Sequence, residues 1–142
     1  MFDLQVAPSH LWIVRKWSKQ HGVMHVALVE WVPSWSHPDG DPRLSKVIEL
    51  SSAHGLNVRA FAWNEGWSFV ACIDGEPGVR ARLAQVLRDN APYDLVLNNC
   101  EHMVSYVATG VRKSPQVRNA AVAVVGLFAL VAWINSAARR IA

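Results

Sequence analysis

Two residue types in this chain can carry covalent chemistry at neutral pH: the cysteines Cys72 and Cys100, and the six histidines that could serve them as bases. Cys100 is set apart by its context. It follows Asn98-Asn99, both good helix caps, and opens the segment Cys100–Thr109, whose apolar stripe is Met103, Val104, Tyr106 and Val107 and which Gly110 can end in a left-handed turn. A sulfur on the first turn of a helix lies beside backbone N–H groups without helical partners and the positive end of the macrodipole, and both favour thiolate over thiol. The same N–H groups point to where the oxyanion of a tetrahedral intermediate forms. The chemistry implied is nucleophilic attack on a carbonyl, which needs a base. His102 is two positions along the helix and faces elsewhere. His25, within the apolar stretch Met24–Trp31, is the better candidate, because a titratable side chain in such a strand needs a reason to be there. Spacing alone leaves the plainer roles open, a small buried cysteine and a satisfied core histidine.

The elements that must position these groups follow from periodicity. Leu11–Trp17 and Met24–Trp31, rich in β-branched and aromatic residues around the polar Ser18–Gly22, predict a β-hairpin. Pro33, Pro38, Gly40 and Pro42 make Val32–Ser45 a long loop. Lys46–Leu50 and Trp67–Ile73 predict two more strands. Val79, Leu83, Val86 and Leu87 recur at helical spacing, predicting an amphipathic helix from about Pro77 to Asp89, with Asn90 as its stop before Ala91-Pro92. Strands followed by helices give an α+β class. Beyond them, Ala120–Ile134 is an uncharged apolar run of 15 residues. A spanning helix needs about 20 mostly apolar residues, with ~17 as the lower limit, so the run spans only with its flank Asn135–Ala138. Trp133 and the basic Arg118, Arg139 and Arg140 suit the two interfaces, while an in-plane helix or a buried core helix are the alternatives.

A chain of 142 residues fits one domain, divided here into a folded unit at 1–118 and a hydrophobic membrane-anchor helix at 119–142. The net charge of +3 comes from basic residues scattered over the chain, which argues against nucleic acid and suits an anionic membrane surface. Two cysteines make no disulfide framework, and Cys72, in an apolar strand, is expected in the core. His10, His21 and His54 lack mutual ligand spacing, so neither metal nor cofactor is expected. Trp12, Trp31, Trp63 and Trp67 are read as core and rim. Met1-Phe2-Asp3-Leu4 offers no basic n-region, so no cleavable signal peptide is expected, and a reducing compartment is the default.

Asn99-Cys100-Glu101-His102-Met103 resembles the Asn-Cys-Glu-His-Phe signature of lecithin:retinol acyltransferase (LRAT)-like proteins, which belong to the NlpC-type, papain-like thiol enzymes in circularly permuted order. His25-Val26-Ala27-Leu28-Val29 falls where that family has its His-x-(Gly/Ala)-Ile-Tyr strand, and the histidine precedes the cysteine, as the permuted order requires. Ser9–Val14 resembles the opening strand, Val47–Ser51 the strand that supplies a third polar residue, and Thr109-Gly110 through Ser114–Arg118 the close of bacterial members, so the likeness runs from about residue 4 to 118. It implies a circularly permuted papain-like (NlpC-type) fold, a small antiparallel β-sheet packed with helices and followed by the hydrophobic helix. It implies a thioester mechanism with Cys100 as nucleophile, His25 as base and Asn99, Glu101 and His102 as support. The third residue is Glu49 by motif alignment, or His37 by simple distance, and Glu49 is favoured because a carboxylate on a strand can hold a ring N–H. The donor implied is an acyl lipid, held at a membrane by the C-terminal helix with the domain on the cytoplasmic side. Two residues depart from the pattern. Val29 replaces a tyrosine whose hydroxyl could polarise the site, and Met103 replaces phenylalanine at similar volume. An NlpC-type peptidase or amidase, and a non-catalytic binding module, are the alternative readings.

Overall fold

The computed structural model describes residues 9–19, 22–34 and 40–141. Strands β1 (His10–Ser18) and β2 (Val23–Trp31) form the expected hairpin, in register from His10 opposite Trp31 to Ser18 opposite Val23. β3 (Lys46–Ser51) pairs with β2, β4 (Gly55–Ala60) with β3, and β5 (Ser68–Cys72) with β1, giving one antiparallel sheet in the order β4-β3-β2-β1-β5. β4 was not expected from the sequence, although Leu56, Val58 and Ala60 do alternate with Asn57 and Arg59. Helices α1 (Val79–Asp89) and α2 (Cys100–Thr109) fall where periodicity places them, and Asn90 and Gly110 end them in left-handed conformations. The class is therefore α+β.

Because strand side chains alternate between faces, the sheet has two different cores. One face packs Leu11, Leu28, Ile48 and Leu50 against Val79 and Leu83 of α1 and Met103, Val104 and Val107 of α2. The other gathers Val14, Ala27, Val29 and Val47 under Trp31, Phe61 and Trp67, and Trp31 meets Phe61, Trp63 and Phe69 edge-on at centroid distances of 5.2–5.3 Å. Val29, read from the sequence as a hydroxyl lost to the site, is fully buried in this second core. It lies four residues along β2 from His25, roughly 13 Å at strand rise.

The segment after β2 is folded against this aromatic core by Asp41. Its carboxylate accepts from Ser34 and Arg43, and its carbonyl accepts from the Ser45 hydroxyl, which in turn receives the Val32 N–H. Hydrogen bonding to Arg43 holds the Asp41 carboxyl well below the usual carboxylate range. Just before it, Gly40 has φ +125°, and a Cβ there would stand 1.5 Å from Nε1 of Trp31. Gly40→Ala is thus expected to lower unfolding stability by about 3 kcal/mol or more, through overpacking added to backbone strain. Urea denaturation measures it, and a loss under ~1 kcal/mol would mean that the loop does not seat against Trp31.

One expectation is corrected. Cys72 is exposed, at the end of β5, an edge strand of the sheet. The hydrophobic helix is α3 (Pro115–Ile141), with Ser114 as its cap accepting from the Val117 N–H. Every described residue from Arg118 to Trp133 is exposed, so α3 is not a core helix of this chain, and Pro115–Trp133 is long and apolar enough to cross a membrane.

Candidate active site

Asn99 starts α2 with a reciprocal cap: its side chain accepts the His102 N–H at 3.0 Å while His102 Nδ1 faces the Asn99 N–H. This explains why Asn-Cys-x-His folds as a helix start, and it gives His102 a structural role instead of a place beside the sulfur. Glu101 accepts the Ser114 hydroxyl and, at 3.1 Å, the Gln116 N–H, tying the root of α3 to α2. The cap and the helix ladder use the N–H groups of His102 and Met103, leaving those of Cys100 and Glu101 at the helix tip as the donors placed for an oxyanion.

Cys100 is near enough to His25 for its sulfur to raise the ring's pKa through hydrogen bonding and charge. The Nε2 of His25 meets Oε2 of Glu49 at 3.0 Å. The register explains the contact. Leu28 pairs with Ile48, so Ala27 stands opposite Glu49, and His25 is its diagonal neighbour on the same face. The diagonal continues onto β4, where Arg59 donates Nε to Glu49 Oε1 at 2.6 Å and both terminal nitrogens to Glu65. Lys16 donates to Glu65 at 2.9 Å and caps the Trp67 ring, whose indole N–H also reaches Glu65. Five alternating charges thus run His25–Glu49–Arg59–Glu65–Lys16. Of these, the sequence reading named His25 and Glu49. Arg59 and Glu65 were missed with β4, although the Leu56-x-Val58 alternation would have put Arg59 on the face of Glu49. His37, the alternative third residue, lies outside the described residues.

Burial alone would lower the affinity of His25 for a proton, but hydrogen bonds and charge from Cys100 and Glu49 outweigh it and raise its pKa to about 9. Burial likewise would raise Glu49, and His25 and Arg59 together bring it down to about 2. At neutral pH the pair is therefore imidazolium and carboxylate. The signs fix the pH dependence. The stabilisation from His25 is complete below 6.5 and lost as pH rises through about 9, whereas that from Glu49 is complete above 4.5 and lost as pH falls towards 2. Any activity that uses His25 as a proton donor should accordingly fall on an alkaline limb near pH 9. A limb near 6.5 in a kcat/KM profile would show that the sulfur and Glu49 do not hold the ring.

The site borders a cleft of about 630 Å³. Its lining includes the apolar or aromatic Met24, Tyr93 and Leu95, the polar Ser51, Ser52 and His54, and Gln116 of α3, which donates to the Met24 carbonyl. Tyr93, not singled out from sequence, is raised by burial and by the charges of Cys100 and Asp94. Away from the cleft, the β1–β5 pairing brings His10 together with Cys72 and Asp74, their ligand atoms within 4.8 Å of one another. Spacing among the histidines alone could not reveal this cluster. Asp74 is already held there by Arg80 and the Leu11 N–H. No protein-family model, curated protein or solved structure matches the chain.

Proposed function

We propose that the chain is a thiol acyltransferase or hydrolase of the LRAT-like kind, with the permuted papain-like arrangement, acting on ester-linked acyl lipids at a membrane. The observation that carries this reading is the grouping of sulfur, imidazole and carboxylate: Cys100 at a helix tip, His25 near enough to respond to it, and Glu49 on the ring's Nε2. A thiol, a base and a group that orients the base are the components of nucleophilic acyl transfer.

In the reaction, the Cys100 thiolate, its proton held on His25, attacks the ester carbonyl and the carbonyl π electrons move to oxygen, where the N–H groups of Cys100 and Glu101 hold the oxyanion. Collapse of this intermediate breaks the carbon–oxygen bond, and His25 gives its proton to the departing alcohol. The thioester is then attacked by water, an alcohol or an amine, whose proton His25 takes. Collapse expels the thiolate and restores the resting pair. Glu49 stays ionised throughout and holds the ring, and Arg59 fixes Glu49.

A lipid substrate is favoured by Met24, Tyr93 and Leu95 in the lining and by Gln116, near the start of α3, beside them. The lining residues Ser51, Ser52 and His54 favour the second reading, an NlpC-type amidase acting on a peptide. A binding module is the third. A free thiol of this kind suits the reducing cytoplasmic side.

Intact-protein mass spectrometry after exposure to mixed phospholipids tests the reading. An added acyl mass on Cys100 is expected, and an adduct formed only with acyl-peptide or amide substrates would transfer the site to the second. Truncation after Arg118 spares Ser114 and Gln116, which tie the root of α3 to the domain. It should move the chain from carbonate-washed membranes into the supernatant. Retention in the membrane pellet would mean that α3 is not the anchor.

A further inference from the structure

The turn between α1 and α2 presents Leu95, Val96 and Leu97 to solvent at 67, 56 and 73 % of full exposure. Three successive aliphatic side chains at a loop tip form an apolar patch for which the described residues supply no cover. The turn is tightly built. Asp94 Oδ1 accepts the N–H groups of Val96 and Leu97 at 2.8 and 2.7 Å, and Asp94 and Asn98 exchange both backbone hydrogen bonds. Asn98 Nδ2 donates to the carbonyls of Ala91 and Pro92, and Asn99 Nδ2 to that of Leu95. The N–H groups of Val96 and Leu97 and the carbonyl of Leu95 are thus bonded within the turn, while the apolar side chains are exposed.

The position of the turn identifies what covers it. Arg112 donates to Asn98 at 2.8 Å, and Asn99 reaches Ser114, the cap of α3, so the knuckle and the root of the apolar helix are joined through two adjacent side chains. Arg112, Lys113 and Arg118 put positive charge around that root. Leu95 of the knuckle and Gln116 of α3 both line the cleft of Cys100. A single spanning helix fixes the distance of a domain from a bilayer but leaves its tilt free. A second apolar contact next to the helix removes that freedom, and the basic residues complement anionic head groups.

We propose that Leu95-Val96-Leu97 is a membrane-docking knuckle, inserted into the head-group boundary of the anionic bilayer that α3 enters, so that the mouth of the Cys100 cleft is set down on the lipid surface. This deepens the acyl-lipid reading of the cleft and rests on it. Docking supplies what that reading needs: an acyl ester lifted from the bilayer enters along Leu95 without crossing water.

The test uses the full chain carrying Cys72→Ser, Cys100→Ser and Leu97→Cys, labelled at residue 97 with a nitrobenzoxadiazole fluorophore and reconstituted into phosphatidylcholine vesicles containing phosphatidylglycerol. A Cys100→Ser chain labelled at the native Cys72, exposed at the opposite end of the sheet, is the reference. The expected result is blue-shifted emission at residue 97, with several-fold stronger quenching by lipid-borne spin label than by aqueous iodide, and the reverse ranking at residue 72. Val96→Cys repeats the measurement should the Leu97 variant misfold. A water-like signal at 96 and 97 in a chain that sediments with vesicles overturns the docking alone. Failure to sediment overturns anchor and docking together. A blue shift without vesicles, in a species of twice the mass, assigns the knuckle to a second copy and likewise overturns the proposal. The acyl-adduct measurement on unlabelled protein reports separately, so a lipid-buried knuckle with no adduct upholds docking and sinks the enzyme.

Discussion

Replacing Cys100 by alanine is expected to lower turnover by about 10⁴-fold or more and to abolish the acyl adduct, the magnitude seen when the nucleophile of a cooperating triad is removed. The change should leave the fold intact. The helix start is made by the Asn99 side chain and His102, neither of which uses the sulfur, and alanine is a good helix former. Cys100 is also one of the two groups that hold His25 up to about 9. The same substitution must therefore bring the ring's titration to lower pH, an NMR readout independent of any substrate. A variant that loses activity while His25 still titrates near 9 would show that the sulfur and the imidazole do not interact. Retained turnover would remove the thiol from the mechanism.

Glu49→Gln is expected to cost about 10²–10⁴-fold in kcat with little change in KM, as loss of the orienting carboxylate does in comparable triads. The amide is isosteric and can still meet His25, but it presents a dipole where the imidazolium needs a charge. The alkaline limb should consequently move from about 9 towards the ordinary histidine value. Arg59 retains Glu65, so its guanidinium remains paired. His37→Ala should have a much smaller effect, because Nε2 of His25 is already taken by Glu49 at 3.0 Å. A larger loss in His37→Ala than in Glu49→Gln would reassign the third position.

How much of this was legible in the chain depends on the range of the interaction. The start of α2 was readable because Asn99, Cys100 and His102 build it within four residues, through a side chain accepting an N–H three positions on. The hairpin was readable from two β-rich runs around Gly22, whose φ of +63° closes the turn. The apolar character of α3 is likewise composition alone. By contrast, nothing local marks Arg59 as the partner of Glu49. That pairing depends on the registers between β2 and β3 and between β3 and β4, because one residue of slip would send Glu49 to the helix-packed face.

The sequence by itself determined the nucleophile candidate, the strand that carries the imidazole, both central helices with their ends, and a terminal segment too apolar for an ordinary surface. These rest on hydrogen bonds and side-chain periodicities that close within a few residues. Only the tertiary structure decided that Glu49 faces His25 with Arg59 behind it, that Cys72 is exposed, that Val29 is buried away from the sulfur, and that α3 leaves its apolar surface bare beside the cleft. Each of these is set by strand order, register and layering, which bring together groups ten to ninety positions apart and so leave no mark at either position alone.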